Sequence, residues 1–123
     1  MGCVLIVDDS VNTCKVVVRL FRASGHAAEA VYCGEEALAR LADPARERPA
    51  LMLLEVMMPG VSGLDVLARV RGTPGLAGLP VVLYTAGHDP DVANRGLALG
   101  AQGVVFKTGG WEGLWPRVRP FLG

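Results

Sequence analysis

Five residues of this chain carry groups able to handle metal or phosphate, and each stands just past a short apolar run. Asp8 and Asp9 follow residues 4–7, Glu55 follows 51–54, Thr85 follows 81–84 and Lys107 follows 103–106. If the runs are parallel strands of one sheet, the five residues converge on its carboxyl edge, where open α/β sheets bind their ligands. Carboxylates gathered there raise one another's pKa unless a cation neutralises them. Hard oxygen ligands of this kind suit Mg²⁺, which keeps several waters and takes one or two carboxylates from a protein. Lys107 is the internal alternative, a single ammonium able to pair with one or two of the three. The bland reading, in which Asp8 and Asp9 cap a helix and Lys107 is a solvated charge, serves for one residue better than for five in register.

The elements that would position these residues are legible in the alternation of apolar runs with helix-compatible stretches, the pattern of βαβ units around a parallel sheet. A further run at 27–32 completes five; it is the weakest, because Ala27-Ala28-Glu29-Ala30-Val31 would also pass as helix. Val11, Cys14, Val18 and Phe21 fall on one helical face, with Gly25 placed for a left-handed C-terminal cap. Ser62-Gly63-Leu64-Asp65 matches a capping box, and Asp89-Pro90 offers an N-cap followed by proline in the first turn. The last helix keeps its period through Leu114, Val118 and Leu122, but Pro116 and Pro120 predict that it is short, kinked or broken. Residues 43–49 form a polar loop.

Composition narrows the function classes. The 123 residues suffice for about one domain, and 51% hydrophobic with 20% charged residues is too apolar for disorder. Twelve basic and twelve acidic residues cancel, so neither nucleic acid nor an anionic membrane is indicated as a partner. Cys3, Cys14 and Cys33 fit neither a disulfide framework nor a CxxC pair and read as small buried hydrophobes in a reducing cytoplasm. No apolar run approaches the roughly 20 residues of a membrane span, and the start of the chain lacks a signal or myristoylation pattern. The chain is expected to be soluble and cytoplasmic.

Four stretches in register carry a family resemblance: Val4-Leu5-Ile6-Val7-Asp8-Asp9-Ser10; Leu53-Leu54-Glu55-Val56-Met57-Met58-Pro59-Gly60 with Ser62-Gly63-Leu64; Thr85-Ala86; and Gly100-Ala101 ahead of Phe106-Lys107. Together they resemble the receiver domain of bacterial two-component response regulators. The resemblance covers essentially the whole chain and implies a single receiver domain over 1–123. Its fold would be a flavodoxin-like (βα)5 sandwich, with a five-stranded parallel sheet in the order 2-1-3-4-5. In that family an Asp at the end of strand three takes a phosphoryl group from a sensor histidine kinase. Mg²⁺ is held by the acidic pair, the acceptor and a backbone carbonyl, while a hydroxyl and a lysine contact the phosphoryl oxygens. By position, Asp8, Asp9, Glu55 and the Met57 carbonyl would be the metal ligands, Thr85 with Ala86 the switch, and Lys107 the phosphate partner. Phosphoryl transfer of this kind needs charge neutralisation and in-line positioning more than covalent help.

Three positions depart from the family. Glu55 occupies the acceptor position, and its extra methylene moves the carboxylate outward by ~1.5 Å, one carbon–carbon bond. A misplacement of about 1 Å can cost roughly 10²-fold in rate, so phosphoryl acceptance should be badly impaired. The same shift carries negative charge toward the place of the phosphoryl group, within reach of Lys107 and Thr85, as a partial phosphate mimic. Val104 stands where a switching Tyr or Phe is usual, and Thr108 where a proline is usual. A phosphate-biased equilibrium needs differential contacts in both states, and parts of both ends of that coupling are missing. The surface of the fourth helix, fifth strand and fifth helix is therefore not expected to dimerise in the family's common way, leaving at most a weak homodimer.

The reading that results is a receiver acting through phosphorylation-independent contact with a sensor histidine kinase or downstream signalling protein, and not an enzyme. One alternative is a working phosphoreceiver through Glu55. Another is a flavodoxin-like phosphate-handling enzyme using Asp8 and Asp9, although no GxGxxG or Walker-type run is present. An output domain, if one exists, is expected outside this sequence. Lesser expectations are an exposed His26, a His88 near the site, Met57 and Met58 shaping a loop, Trp111 and Trp115 covering the sheet, and Arg69, Arg71, Arg117 and Arg119 on a solvated face.

Overall fold

Successive side chains of a strand point to opposite faces, so a run without polar residues must be covered on both sides. The computed structural model describes residues 2–123 and meets that requirement with a five-stranded parallel sheet. Its strands are β1 (Cys3–Val7), β2 (Ala27–Val31), β3 (Leu51–Leu54), β4 (Val81–Thr85) and β5 (Gly103–Phe106), in the order β2-β1-β3-β4-β5. The helices α1 (Val11–Ala23), α2 (Gly34–Ala42), α3 (Gly63–Arg71), α4 (Pro90–Ala98) and α5 (Gly110–Val118) alternate with them. This is the flavodoxin-like α/β sandwich that the sequence predicts.

The alternation along the strands divides the core in two. Val4, Ile6, Leu51, Leu53, Val82, Tyr84 and Val105 face Cys14, Val17 and Phe21 of α1 and Leu114 and Val118 of α5. Leu5, Val7, Met52, Leu54, Val81 and Leu83 face Ala37 of α2, Val66, Leu67 and Val70 of α3 and, less closely, Val92 of α4. The ambiguous segment at 27–32 is a strand from Ala27 to Val31, paired with β1 from Cys3↔Ala27 to Val7↔Val31, with Tyr32 outside it. Pairing along all five residues of β1 overrides the helix propensity of alanine.

Local signals act as their chemistry requires. Ser62 Oγ accepts from the Asp65 N–H, Asp89 Oδ1 from the Asp91 N–H, and Gly25 takes φ +90° after α1. Pro116 lies inside α5, which stops at Val118 and passes into a 3₁₀ turn, Arg119–Phe121, so the last helix is indeed short and broken.

Some side chains sit differently from expectation. The buried stripe of α1 is Cys14, Val17 and Phe21, while Val11 is exposed because the helix starts at the sheet's edge, before it lies over the strands. Of the three cysteines only Cys14 is fully buried. His26 is half-buried, its ring 5.9 Å from that of Trp115. Trp111 and Trp115 do cover the sheet, stacked on each other and set edge-on to Phe21. Arg71 is no solvated charge: its guanidinium donates to the carbonyls of Gly100, Ala77 and Leu79 and to Gln102 Oε1, tying the end of α3 to the starts of β4 and β5. Burial lowers its pKa.

Candidate functional site

Parallel strands in this order bring the ends of β1, β3, β4 and β5 side by side, and the polar residues that follow them meet. Asp8, Glu55 and Thr85 are buried, the only polar or charged residues in the core among those described. The Glu55 N–H donates to the Val7 carbonyl at 2.9 Å, which extends the β1–β3 ladder one residue and aims the Glu55 side chain at the neighbouring strand ends. Gly63 closes the floor: a Cβ there would stand 2.1 Å from the Glu55 carbonyl oxygen, so only glycine lets α3 begin so close to the site.

Glu55 is held at both oxygens. Oε1 accepts from the Thr85 hydroxyl at 2.6 Å and from the N–H groups of Val56 and Met57 at 2.9 and 3.2 Å. Oε2 is paired with the Lys107 ammonium at 2.8 Å. The same ammonium lies 2.6 Å from Asp8 Oδ2, while Asp8 Oδ1 accepts from the Ser10 N–H at 2.9 Å. One lysine thus bridges two buried carboxylates, and it lies 5.9 Å from the centre of the Tyr84 ring.

The electrostatics follow from this burial. Desolvation pushes the Asp8 carboxyl above its ordinary range, against the pull of Lys107 and the Ser10 N–H and with the push of Glu55. For Lys107, burial opposes the charge, but bonding to Asp8 and Glu55 outweighs it and the ammonium pKa is raised. Burial also raises Tyr84, which keeps its phenol neutral under the lysine. Burial and the Asp8 charge lift the Cys14 thiol to about 11, so this neighbour, which donates to the Asp8 carbonyl, is a protonated thiol and not a nucleophile.

The other anticipated residues stand apart. Asp9 is exposed and outside the cluster. Met57 contributes its N–H to Glu55 while its side chain is 73% exposed; Met58 is the buried one of the pair. Ala86 is exposed, its carbonyl 3.3 Å from the Thr85 hydroxyl. Val104 packs into the core on the α4 side and does not reach the site. His88 lies beside it, 3.4 Å from Thr108 Oγ1 and 5.2 Å from the Phe106 ring, at the rim of a cavity of about 170 Å³ lined also by Thr85, Val92 and Met57. Ser10 and Tyr84 were not anticipated. In the sequence Ser10 is only the polar residue after Asp8-Asp9, and Tyr84 looks like one more apolar strand residue.

These features agree with what comparison with known proteins finds. Residues 4–119 match the model of the response regulator receiver domain, and the chain belongs to that family. It is 34% identical over 121 residues to the phosphate regulon transcriptional regulatory protein PhoB of Rhizobium meliloti, covering 97% of this chain and 51% of that protein. Among solved structures it is similar to the chemotaxis protein CheY4 of Vibrio cholerae (27% identity, TM-score 0.87, 98% of each chain). It is also similar to the Mn²⁺-bound form of the response regulator Rcp1 (26% identity, TM-score 0.84, 98% of this chain and 91% of that one). The chain spans about half the length of several curated relatives it matches. Receiver domains are signalling domains that interact with histidine kinases and downstream effectors.

Receiver domains typically hold Mg²⁺ at this edge, and the arrangement of donors here can be tested against that ion. Glu55 Oε1 already accepts three donors, and Asp8 Oδ2 and Glu55 Oε2 share the Lys107 ammonium. Asp9 stays in solvent, and no group of three Asp, Glu, His or Cys side chains among the described residues is placed to hold a metal. The side chains as arranged do not fit the ion.

Proposed function

We propose that residues 1–123 form one receiver domain that works by phosphorylation-independent contact with other signalling proteins, with Glu55 in the place of the phosphoacceptor. The observation that carries this reading is the pair of contacts at Glu55: the Thr85 hydroxyl at 2.6 Å and the Lys107 ammonium at 2.8 Å. In a receiver these two groups serve the phosphoryl oxygens, and here a carboxylate one methylene longer than Asp already engages both. Glu55 thus acts as a partial, permanent substitute for the phosphoryl group, with less charge and fewer acceptor oxygens than a phosphate. Val104 in place of an aromatic residue supports a readout by fixed surface and not by a swinging side chain.

The partner is a sensor histidine kinase or a downstream signalling protein, and the setting is the cytoplasm. The domain itself contacts neither nucleic acid nor membrane; its charges cancel, and no helix among the described residues is long and apolar enough to cross a bilayer. Phosphoryl acceptance at Glu55 and turnover of a phosphate ester by Asp8 and Asp9 are the readings this one displaces.

The deciding experiment is incubation with Mg²⁺ and acetyl phosphate, wild type beside Glu55→Asp, read by intact mass. The expected outcome is an unmodified wild type and a Glu55→Asp variant heavier by about 80 Da, one phosphoryl group. Label on wild-type Glu55 overturns the reading, and so does phosphatase turnover by the wild type.

A further inference from the structure

The geometry of the charged centre points to something beyond the fate of phosphate: we propose that Lys107 is the resident cation of this site, and that the chain does not take up the divalent metal a receiver ordinarily holds there. The first argument is occupancy. Asp8 and Glu55 are the buried carboxylates, and one ammonium stands 2.6 Å from an oxygen of the first and 2.8 Å from an oxygen of the second. Mg²⁺ binds oxygen at ~2.1 Å, so an ion on either of these oxygens would lie within ~5 Å of Nζ and would be repelled by it.

The second argument is ligand supply. Glu55 Oε1 has the Thr85 hydroxyl and two backbone N–H groups around it, and Asp8 Oδ1 has the Ser10 N–H. Asp9, the residue that would complete a three-carboxylate set, is exposed. The third argument is the length of residue 55. A carboxylate one carbon–carbon bond (~1.5 Å) further out than an aspartate's already meets the lysine and the Thr85 hydroxyl. The extra methylene thus carries the carboxylate to its own counterion.

The consequence is a receiver whose charge balance is independent of cellular Mg²⁺. Its test needs no phosphodonor, so it stands or falls apart from the phosphorylation experiment: a wild type that is phosphorylated yet metal-free removes the function proposed above and leaves this inference in place. Mn²⁺ serves as the probe, counted by electron paramagnetic resonance of the free ion, with Mg²⁺ competition and calorimetry as the second readout. Wild type, Lys107→Ala and Glu55→Asp are compared after circular dichroism has established that each is folded. Groups bonded to a metal site's ligands change its affinity by roughly 10–100-fold, and both variants, freed of the competing ammonium contact, are expected to bind Mn²⁺ more tightly than the wild type by about 10-fold or more. One Mn²⁺ bound by the wild type as tightly as by the variants overturns the proposal. If Lys107→Ala does not fold, wild type against Glu55→Asp decides in the same way, because that variant keeps the lysine and only withdraws the carboxylate.

Discussion

The carboxyl edge of β1 and β3 and the face of the sheet covered by α4 lie side by side, yet they are built to different tolerances. At the edge, each carboxylate oxygen of Asp8 and Glu55 has a partner, and Gly63 brings the backbone of α3 into contact with that of Glu55. On the α4 face, Gly96 is the one buried residue of the helix, Leu97 and Leu99 are 50% and 38% exposed, and Val104 of β5 packs there only partly buried. Charge inside a core must be satisfied from every side, because leaving it unpaired is expensive. A helix over a surface of methyl groups has no such requirement. The comparison teaches that packing demands differ sharply within one domain: the charged edge is closed on every side, while the face under α4 is held by few buried side chains.

Removing the lysine breaks the tighter region most severely. Lys107→Met leaves two buried carboxylates without their cation and is expected to cost about 3 kcal/mol in urea denaturation. The wild type should also lose stability in strong alkali. The pKa of Lys107 is raised above its ordinary value of 10.5, so its contribution is complete below that value and lost as pH rises through the folded-state pKa. Tyr84, raised above 10.0, acts in the same direction, since only the unfolded chain ionises readily. Part of this alkaline loss should vanish in Lys107→Met, and an unchanged pH profile in that variant contradicts the bridging role.

One methyl group placed in each region sharpens the contrast. Gly63→Ala sets a carbon 2.1 Å from a backbone oxygen that cannot yield, and about 2 kcal/mol of destabilisation is expected from such overpacking. Gly96→Ala meets the end of the Leu83 side chain at 2.3 Å, which can rotate away, and the better helix propensity of alanine returns about 1 kcal/mol. The second variant should remain within about 1 kcal/mol of wild type. Equal losses would mean that the α4 face is packed as firmly as the edge.

Thr85→Val keeps the shape and removes the hydroxyl that donates to Glu55. A hydrogen bond to a charged group contributes about 1.5 kcal/mol or slightly more, and thermal denaturation should register a loss of that size. The smallest expected effect is the most informative about signalling. A double-mutant cycle between Thr85→Val and Val104→Ala should give a coupling below about 0.5 kcal/mol, the level of independent sites. A larger coupling would show that the two regions still communicate through β4 and β5.

Much of this architecture was open to sequence reasoning. The continuous apolar runs demanded a sheet covered on both faces, the helix caps lay where Ser62, Asp89 and Gly25 predicted, and the strand-end pattern brought Asp8, Glu55, Thr85 and Lys107 to one edge. These features are local: periodicity, caps and the residue after a strand depend on a few neighbours along the chain. Val11 is exposed because it opens α1, where only three-dimensional position decides whether a side chain turns in or out, and Asp9 just before it is exposed as well. Arg71 looked like a surface charge because its acceptors, the carbonyls of Ala77, Leu79 and Gly100, lie in segments whose proximity the fold creates.

The sequence by itself determined the class of fold and which chemical groups gather at the sheet's edge, because parallel strands in a known order carry their following residues to the same place. The tertiary structure alone decided how those groups divide the available charge. Whether Lys107 pairs with Asp8, with Glu55 or with both depends on a few tenths of an ångström between four strand ends, and on burial that makes each unpaired oxygen costly.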